Sequence, residues 1–280
     1  MEPTEPLEQY SNSNHIEEAS KPIILTVLGL PGDASPSTGG GTREVLEITK
    51  ILEDAGICCC LVGISALKYY GAGRVRHVGL GNMVPTHLVE KAAQIFKSEH
   101  SKIYQTYPPD RPQLDSLLHT FPRFKIIGVS LFFTIIPEED VYLKCISSNI
   151  ERSYTGLPYP RLSVFAQSLL DIDDEVALTD LIDGMDLSEE WGMENLNLDG
   201  MNDVSWVIER NEKTRASVPL TDTSYLLESF ARPANKKETW MRIVRTKESR
   251  IGMELPKEVF ATRFRPRNDE DPRSRQRNFV

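Results

Sequence analysis

The stretch that decides the fold is LVGISALKYYGAGRVRHVGLGNMVP, Leu61–Pro85. It opens inside the apolar run ICCCLVGI, whose bounding glycines and lack of polar residues predict a short buried strand. SALKYYGAG predicts a short helix ending at Gly71, and residues 77–84 have the character of a second strand. Upstream, apolar side chains between Thr42 and Gly56 recur at spacings of three and four, which predicts an amphipathic helix with Thr42 as its N-cap.

Further along the chain, two more patterns extend this order. VPTHLVEKAAQIFKSEH predicts another amphipathic helix, and Phe124–Pro137 predicts two strands, or one kinked strand, about Gly128. After GLPYPRL the chain becomes helical and acidic, with no Lys or Arg from Leu162 through Glu209. WVIERNEKTR and ETWMRIVRTK predict later helices.

Together these patterns predict an α/β (α+β) fold, in which flanking helices pack on a mixed sheet and a mostly helical acidic region follows. Residues 42–155 form the α/β domain and residues 156–250 form the helical region. We expect a disordered tail at 1–21, because it is rich in Glu, Pro, Ser and Asn. A possible edge strand and a Gly/Ser linker occupy 22–41. Dense charge of both signs predicts a mobile tail at 251–280.

Composition restricts the classes of function. The formal charge of −9 and the pI near 5.2 argue against DNA binding, which needs concentrated Lys and Arg. We expect no membrane association, because no apolar run approaches the length of a span and the first residues lack the features of a secretory signal. Cys58, Cys59, Cys60 and Cys145 fit buried core thiols in a reducing compartment. A cytoplasmic or nuclear protein is therefore expected.

The order of helix, strand, glycine turn, short helix and strand resembles the DNA polymerase β-like nucleotidyltransferase superfamily over roughly residues 42–170. More narrowly, it is similar to the small nucleotidyltransferase-like proteins of bacterial toxin–antitoxin systems. LVGISALKYYGAGRVR, LPYPRLSVFAQSLLD and LIDGMDLSEEWG resemble a group of uncharacterised fungal proteins, and that resemblance extends through about residue 215.

The resemblance implies a ligand site at the turn before the short helix. In the superfamily, a Gly followed by a small residue lets nucleotide phosphates approach the backbone there. Gly63 matches the first position, Ile64 departs from the expected Gly or Ser, and Ser65 matches the residue that usually comes next. Gly71 and Arg74 also fall where such proteins place a Gly and an Arg. ATP or another nucleotide is the implied ligand.

The catalytic carboxylates of the superfamily are absent from the expected places. Two should alternate on the next strand and hold Mg²⁺ on the triphosphate, yet His77–Pro85 contains no acidic residue. The third should lie on a later strand, where we expect Ser130, and Phe124–Pro137 also lacks Asp and Glu. The chain is therefore expected to be a catalytically inactive member that binds a nucleotide or anion, or acts as a regulatory protein.

Two alternatives remain open. The first is an active metal-dependent nucleotidyltransferase with a rearranged site, which would have to recruit Glu90, Asp110 and Asp115 from unrelated segments and would need Mg²⁺. The second is a protein-interaction module without a ligand.

Arg74, Arg76 and His77 form a compact cationic group. Either it is a residual phosphate site together with Gly63 and Ser65, or it is a solvated turn.

The acidic segment 171–203 either docks a basic protein partner or is a solvated helical surface. Asp171–Ile182 has Asp at the first and third positions of a calcium loop. It lacks both the Gly at position 6 and the closing Glu, so we interpret it as a charged helix start.

Overall fold

The computed structural model describes residues 41–74, 79–109, 112, 116–217, 232–252 and 254–274. The tail predicted at 1–21, the possible edge strand and most of the linker at 22–41, and Arg76 and His77 lie outside these residues.

The described chain contains eight α-helices and seven strands. The helices are α1 Thr42–Asp54, α2 Ile64–Tyr69, α3 Val89–Lys97, α4 Leu162–Asp171, α5 Glu175–Met185, α6 Glu189–Asn195, α7 Val204–Ser217 and α8 Lys236–Arg245. The strands are β1 Cys60–Val62, β2 Leu80–Val84, β3 Tyr104–Thr106, β4 Arg123–Ile126, β5 Phe132–Pro137, β6 Ile150–Arg152 and β7 Pro158–Pro160.

Five of the strands form a mixed sheet in the order β1-β2-β5-β4-β3. Strands β2 and β5 run parallel, and the other neighbouring pairs run antiparallel. Strands β6 and β7 form a separate antiparallel pair. The prediction of a mixed α/β fold is confirmed at this level, as are the two strands on either side of Gly128.

One face of the five-stranded sheet carries the main core. Phe96 of α3 lies 5.5 Å from Phe124 and 4.9 Å from Phe133, measured between ring centroids. Cys59 places its Sγ 3.7 Å from the carbonyl of Thr49 in α1. Helices α1 and α3 therefore cover this side, which we call the covered face. Side chains alternate along a strand, so the residues between those of the covered face point to the opposite side of the sheet. We call that side the second face.

The second half of the described chain is a helical layer. Asp174 caps α5 by accepting a hydrogen bond from the backbone N–H of Ala177, which agrees with the interpretation of this stretch as a charged helix start. Trp240 of α8 is fully buried and lies 5.8 Å from Trp191 of α6 between ring centroids. Large apolar side chains thus hold the helices together.

The C-terminal segment differs from the mobile tail expected at 251–280. Thr262 is fully buried and its hydroxyl donates to the carbonyl of Asp183 on α5. Arg265 donates to the carbonyl of Gly184 at 3.3 Å. Charged residues of this segment therefore contact α5, and residues 254–274 pack on the helical layer.

Candidate functional site

The turn between β1 and α2 leaves its backbone open to solvent. Gly63 is exposed and has φ 61° and ψ −136°, a conformation that glycine adopts readily and other residues do not. Its carbonyl accepts a hydrogen bond from the Leu67 N–H at 3.0 Å, which closes the first turn of α2. Ser65, the second predicted site residue, is 5% exposed and lies within the helix.

A single row of residues crosses the second face of the sheet beside this turn. Val62 of β1 pairs with Gly81 of β2, Gly81 pairs with Thr134 of β5, and Thr134 pairs with Arg123 of β4. Directly paired residues point to the same side of a sheet, so these four lie next to one another. Gly63 follows Val62 in the chain, so the turn lies at the β1 end of this row.

Ser130 does not lie on β5, although it was expected on that strand. Ser130 is exposed in the turn before β5, because the strand begins only at Phe132. Thr134 is the β5 residue beside Gly81. The expectation for Ser130 was wrong because the turn that begins near Gly128, whose φ is 80°, extends further than the apolar run suggested.

The second face has no acidic side chain among the described residues of β2, β4 and β5. A Cβ at Gly81 would lie 2.8 Å from Cδ1 of Ile136, and one at Gly79 would lie 2.1 Å from Cδ2 of Phe132. Apolar side chains thus occupy the space that a side chain at Gly79 or Gly81 would need. Within the part of the chain that is described, no group of three His, Cys, Asp or Glu side chains is arranged to hold a metal ion.

Two cations stand on this face instead. Arg123 is 7% exposed, and its guanidinium lies 4.1 Å from the ring centroid of Phe132 and 5.1 Å from that of Tyr107. The two rings stack at 5.5 Å with an interplanar angle of 12°. Lys125, half-buried, has its Nζ 5.7 Å from the Tyr107 ring. The face is therefore positively charged and aromatic.

Sequence reasoning missed these cations, although a signal was present. In Arg-Phe-Lys-Ile, the two basic residues alternate with buried apolar ones, which places Arg123 and Lys125 on one side of a strand. The cations were overlooked because the prediction considered this segment only for acidic residues.

Arg74 is committed to an ion pair within the protein. Its Nη2 donates to Oδ1 of Asp180 at 3.1 Å and its Nε pairs with Oδ2, and only 2% of the Asp180 side chain is exposed. The hydrogen bond with Asp180 raises the pKa of Arg74. Arg263 contacts the same carboxylate. The structure therefore places Arg74 against α5, and gives its charge a partner inside the fold.

The acidic segment 171–203 is likewise matched by basic residues of the same chain. Its carboxylates contact side chains from residues 236–263. These ion pairs are Asp171–Lys236, Glu175–Arg242, Asp183–Arg250, Asp183–Arg263, Asp186–Lys247 and Glu189–Arg245. Basic residues of the same chain thus pair with carboxylates of this segment, which the sequence predicted either to dock a basic protein or to be a solvated helical surface. The sequence alone could not show this, because the two segments lie far apart in the chain.

Comparison of the chain with protein-family models and with curated proteins finds no match. None of the helices in the described ranges combines the length and the apolar character that crossing a membrane requires.

Proposed function

We propose that this protein is a nucleotidyltransferase-like protein that binds a nucleotide or another phosphate-bearing anion and does not catalyse metal-dependent nucleotidyl transfer. The observation that supports the proposal is the row Gly81–Thr134–Arg123, in which two uncharged residues lie beside a cation.

The chemical reason lies in how the charge of a phosphate group is balanced. A transferase offsets the triphosphate with Mg²⁺, which clustered carboxylates hold in place. On the second face, the half-buried Lys125 supplies positive charge directly, and an ammonium group binds phosphate oxygens. A ligand that binds here therefore needs no metal ion to balance its charge.

The turn at Gly63 adds a surface that phosphate oxygens can approach, because no side chain stands above the backbone. Tyr107 and Phe132 offer aromatic surface beside the cations, which suits a nucleobase. In this proposal Arg74 does not contact the ligand. It holds the chain ahead of β2 through its ion pair with Asp180.

Isothermal titration with ATP tests the proposal, once in EDTA and once in excess Mg²⁺. We expect binding in EDTA, and we expect Lys125→Ala to weaken it about tenfold, since a hydrogen bond to a charged group contributes about 1.5–3 kcal/mol. Lys102→Ala is the matched control, because Lys102 is an exposed lysine in the turn before β3. It should leave the affinity unchanged.

Other outcomes distinguish the alternatives. Binding that requires Mg²⁺, with release of pyrophosphate, would support an active metal-dependent enzyme with a rearranged site. Absence of binding in both buffers by a folded protein would support a protein-interaction module.

A further inference from the structure

Three thiols converge beside the start of β1. The Sγ of Cys145 lies 3.4 Å from the carbonyl oxygen of Cys58 and 3.6 Å from that of Met83. Met83 is the cross-strand partner of Cys60. Cys145 therefore sits over the second face, between Cys58 and Cys60, although it lies 87 residues from Cys58 in the chain.

Cys58 and Cys145 differ in how solvent reaches them. Cys145 is 1% exposed, whereas Cys58 is half-buried. Cys58 lines a cavity of about 450 Å³ with Glu53, Ser147, Ile150 and Arg152. A small solute can therefore enter the cavity and reach the half-buried Cys58 before the buried Cys59 and Cys145.

Cys59 is separated from this pair although it adjoins Cys58 in sequence. It is buried against α1, with its Sγ 3.7 Å from the carbonyl oxygen of Thr49. Cys59 also lines the cavity, but its Sγ lies on the covered face, against α1. Cys59 therefore provides an internal control for any reaction at Cys58.

We propose that Cys58 and Cys145 form a disulfide when hydrogen peroxide reaches the cavity. The Cys58 sulfur attacks one peroxide oxygen, the O–O bond breaks, and water leaves, so that Cys58 becomes a sulfenic acid. The Cys145 sulfur then attacks the Cys58 sulfur, the S–O bond breaks, and a second water leaves. Two thiols are oxidised by two electrons, and one peroxide is reduced to two waters.

The environment of the pair makes this reaction slow at neutral pH. A hydrogen bond with the Cys145 thiol, followed by burial, raises the pKa of Cys58. The thiolate is the reactive form, so the pair stays reduced under weak oxidation. Glu53 from α1 acts on Cys58, Glu138 acts on Cys145, and Arg152 from β6 lines the cavity.

The test is mass spectrometry of the full chain after hydrogen peroxide treatment, digested with trypsin without reduction. Cleavage after Lys50, Lys68, Lys144 and Arg152 gives the peptides ILEDAGICCCLVGISALK (51–68) and CISSNIER (145–152). We expect these two peptides to appear joined, with a loss of two hydrogens. We also expect a rise in melting temperature on the order of 10 °C that dithiothreitol reverses, because the bond closes a long loop.

Serine variants identify the sulfur that reacts. The joined peptide should persist in Cys59→Ser and Cys60→Ser and disappear in Cys58→Ser. A Cys145 variant can fail to fold, because Cys145 is buried. The joined peptides of the wild-type protein identify Cys145 without such a variant, because Cys145 is the one cysteine in peptide 145–152. Persistence of the joined peptide in Cys58→Ser, a bond within peptide 51–68, or no bond at all would overturn the proposal.

Discussion

Asp183 of α5 is fully buried and accepts two hydrogen bonds from Arg250, at 2.9 Å from Nε to Oδ2 and at 2.6 Å from Nη2 to Oδ1. The Nε of Arg263 lies 2.7 Å from the same carboxylate. Asp180, one turn earlier on the helix, contacts Arg74 and Arg263. Two buried carboxylates thus join three segments of the chain.

Arg250→Met should destabilise the protein by about 3 kcal/mol, because it leaves buried negative charge with one cation fewer. Arg267→Met is the matched control, since Arg267 pairs with Glu248 at the surface and such pairs contribute about 0–1 kcal/mol. Urea denaturation measures both. Equal losses in the two variants would contradict a special role for the buried pair.

Gly192 contacts the indole of Trp240 so closely that a Cβ at this position would lie 2.1 Å from Nε1. Gly192→Ala should therefore displace the fully buried Trp240 and cost about 3 kcal/mol through overpacking. Gly252→Ala, where a Cβ meets no atom within 4 Å, should change stability by less than about 0.5 kcal/mol. Thermal unfolding followed by tryptophan fluorescence compares them, and an unshifted midpoint in Gly192→Ala would contradict the packing.

Asn82, on the covered face of the interior strand β2, is fully buried, and its side-chain amide has no hydrogen-bond partner among the described residues. Because an unpaired buried amide is costly, Asn82→Leu should stabilise the fold by about 1–3 kcal/mol. Asn202 is a buried amide with both groups bonded, its Nδ2 to the Arg232 carbonyl and its Oδ1 to the Ala234 N–H. Asn202→Leu should destabilise by a similar amount, and chemical denaturation should show opposite signs.

The parts of the fold that sequence predicted are those fixed by local period. Apolar spacing located α1 and the two strands about Gly128, although α1 begins at Thr42 itself, with Gly41 as the N-cap. The absence of acidic residues from β2 and β5 could also be predicted from sequence, because each strand is one continuous segment. Which β5 residue lies beside Gly81 could not, since register depends on where the turn ends.

Long-range charge pairing was beyond local reasoning. Asp180 and Arg263 are 83 residues apart, and Arg250 and Asp183 are 67 apart. Within either segment alone, dense charge is typical of a solvated surface or tail. Only the fold brings the opposite charges together. Segment 171–203 was therefore predicted either to dock a basic protein or to be a solvated surface, and residues 251–280 were predicted to be a mobile tail.

Asp140 should make stability depend on pH. Burial raises the pKa of its carboxyl, and Arg210 lowers it only in part. A folded-state pKa above the unfolded value means that the native protein binds the proton more tightly, so this residue's contribution falls as pH rises through that window. In the wild-type protein, the free energy of unfolding should fall as pH rises from the ordinary pKa of a carboxyl to the raised pKa of Asp140. In Asp140→Asn this fall should be absent.

Asp271 is the contrast for that titration, because its hydrogen bond with Arg273 lowers the pKa of the carboxyl. Its contribution is present above the unfolded pKa and is lost as pH falls through the folded pKa. Denaturation of wild type, Asp140→Asn and Asp271→Asn from pH 3 to 6 should give difference curves of opposite slope. Parallel curves would contradict the assigned directions.

Truncation tests whether the C-terminal segment is part of the fold. A chain of residues 1–252 loses Arg263 from the buried carboxylates, the Thr262 hydroxyl from the Asp183 carbonyl, and Pro272 from Gly71. We expect it to be less stable by at least about 3 kcal/mol, because buried charge is left with fewer partners. A chain of residues 1–274 keeps these contacts and should unfold as the full chain does. Equal stability of all three chains would mean that residues 253–274 contribute nothing to the fold.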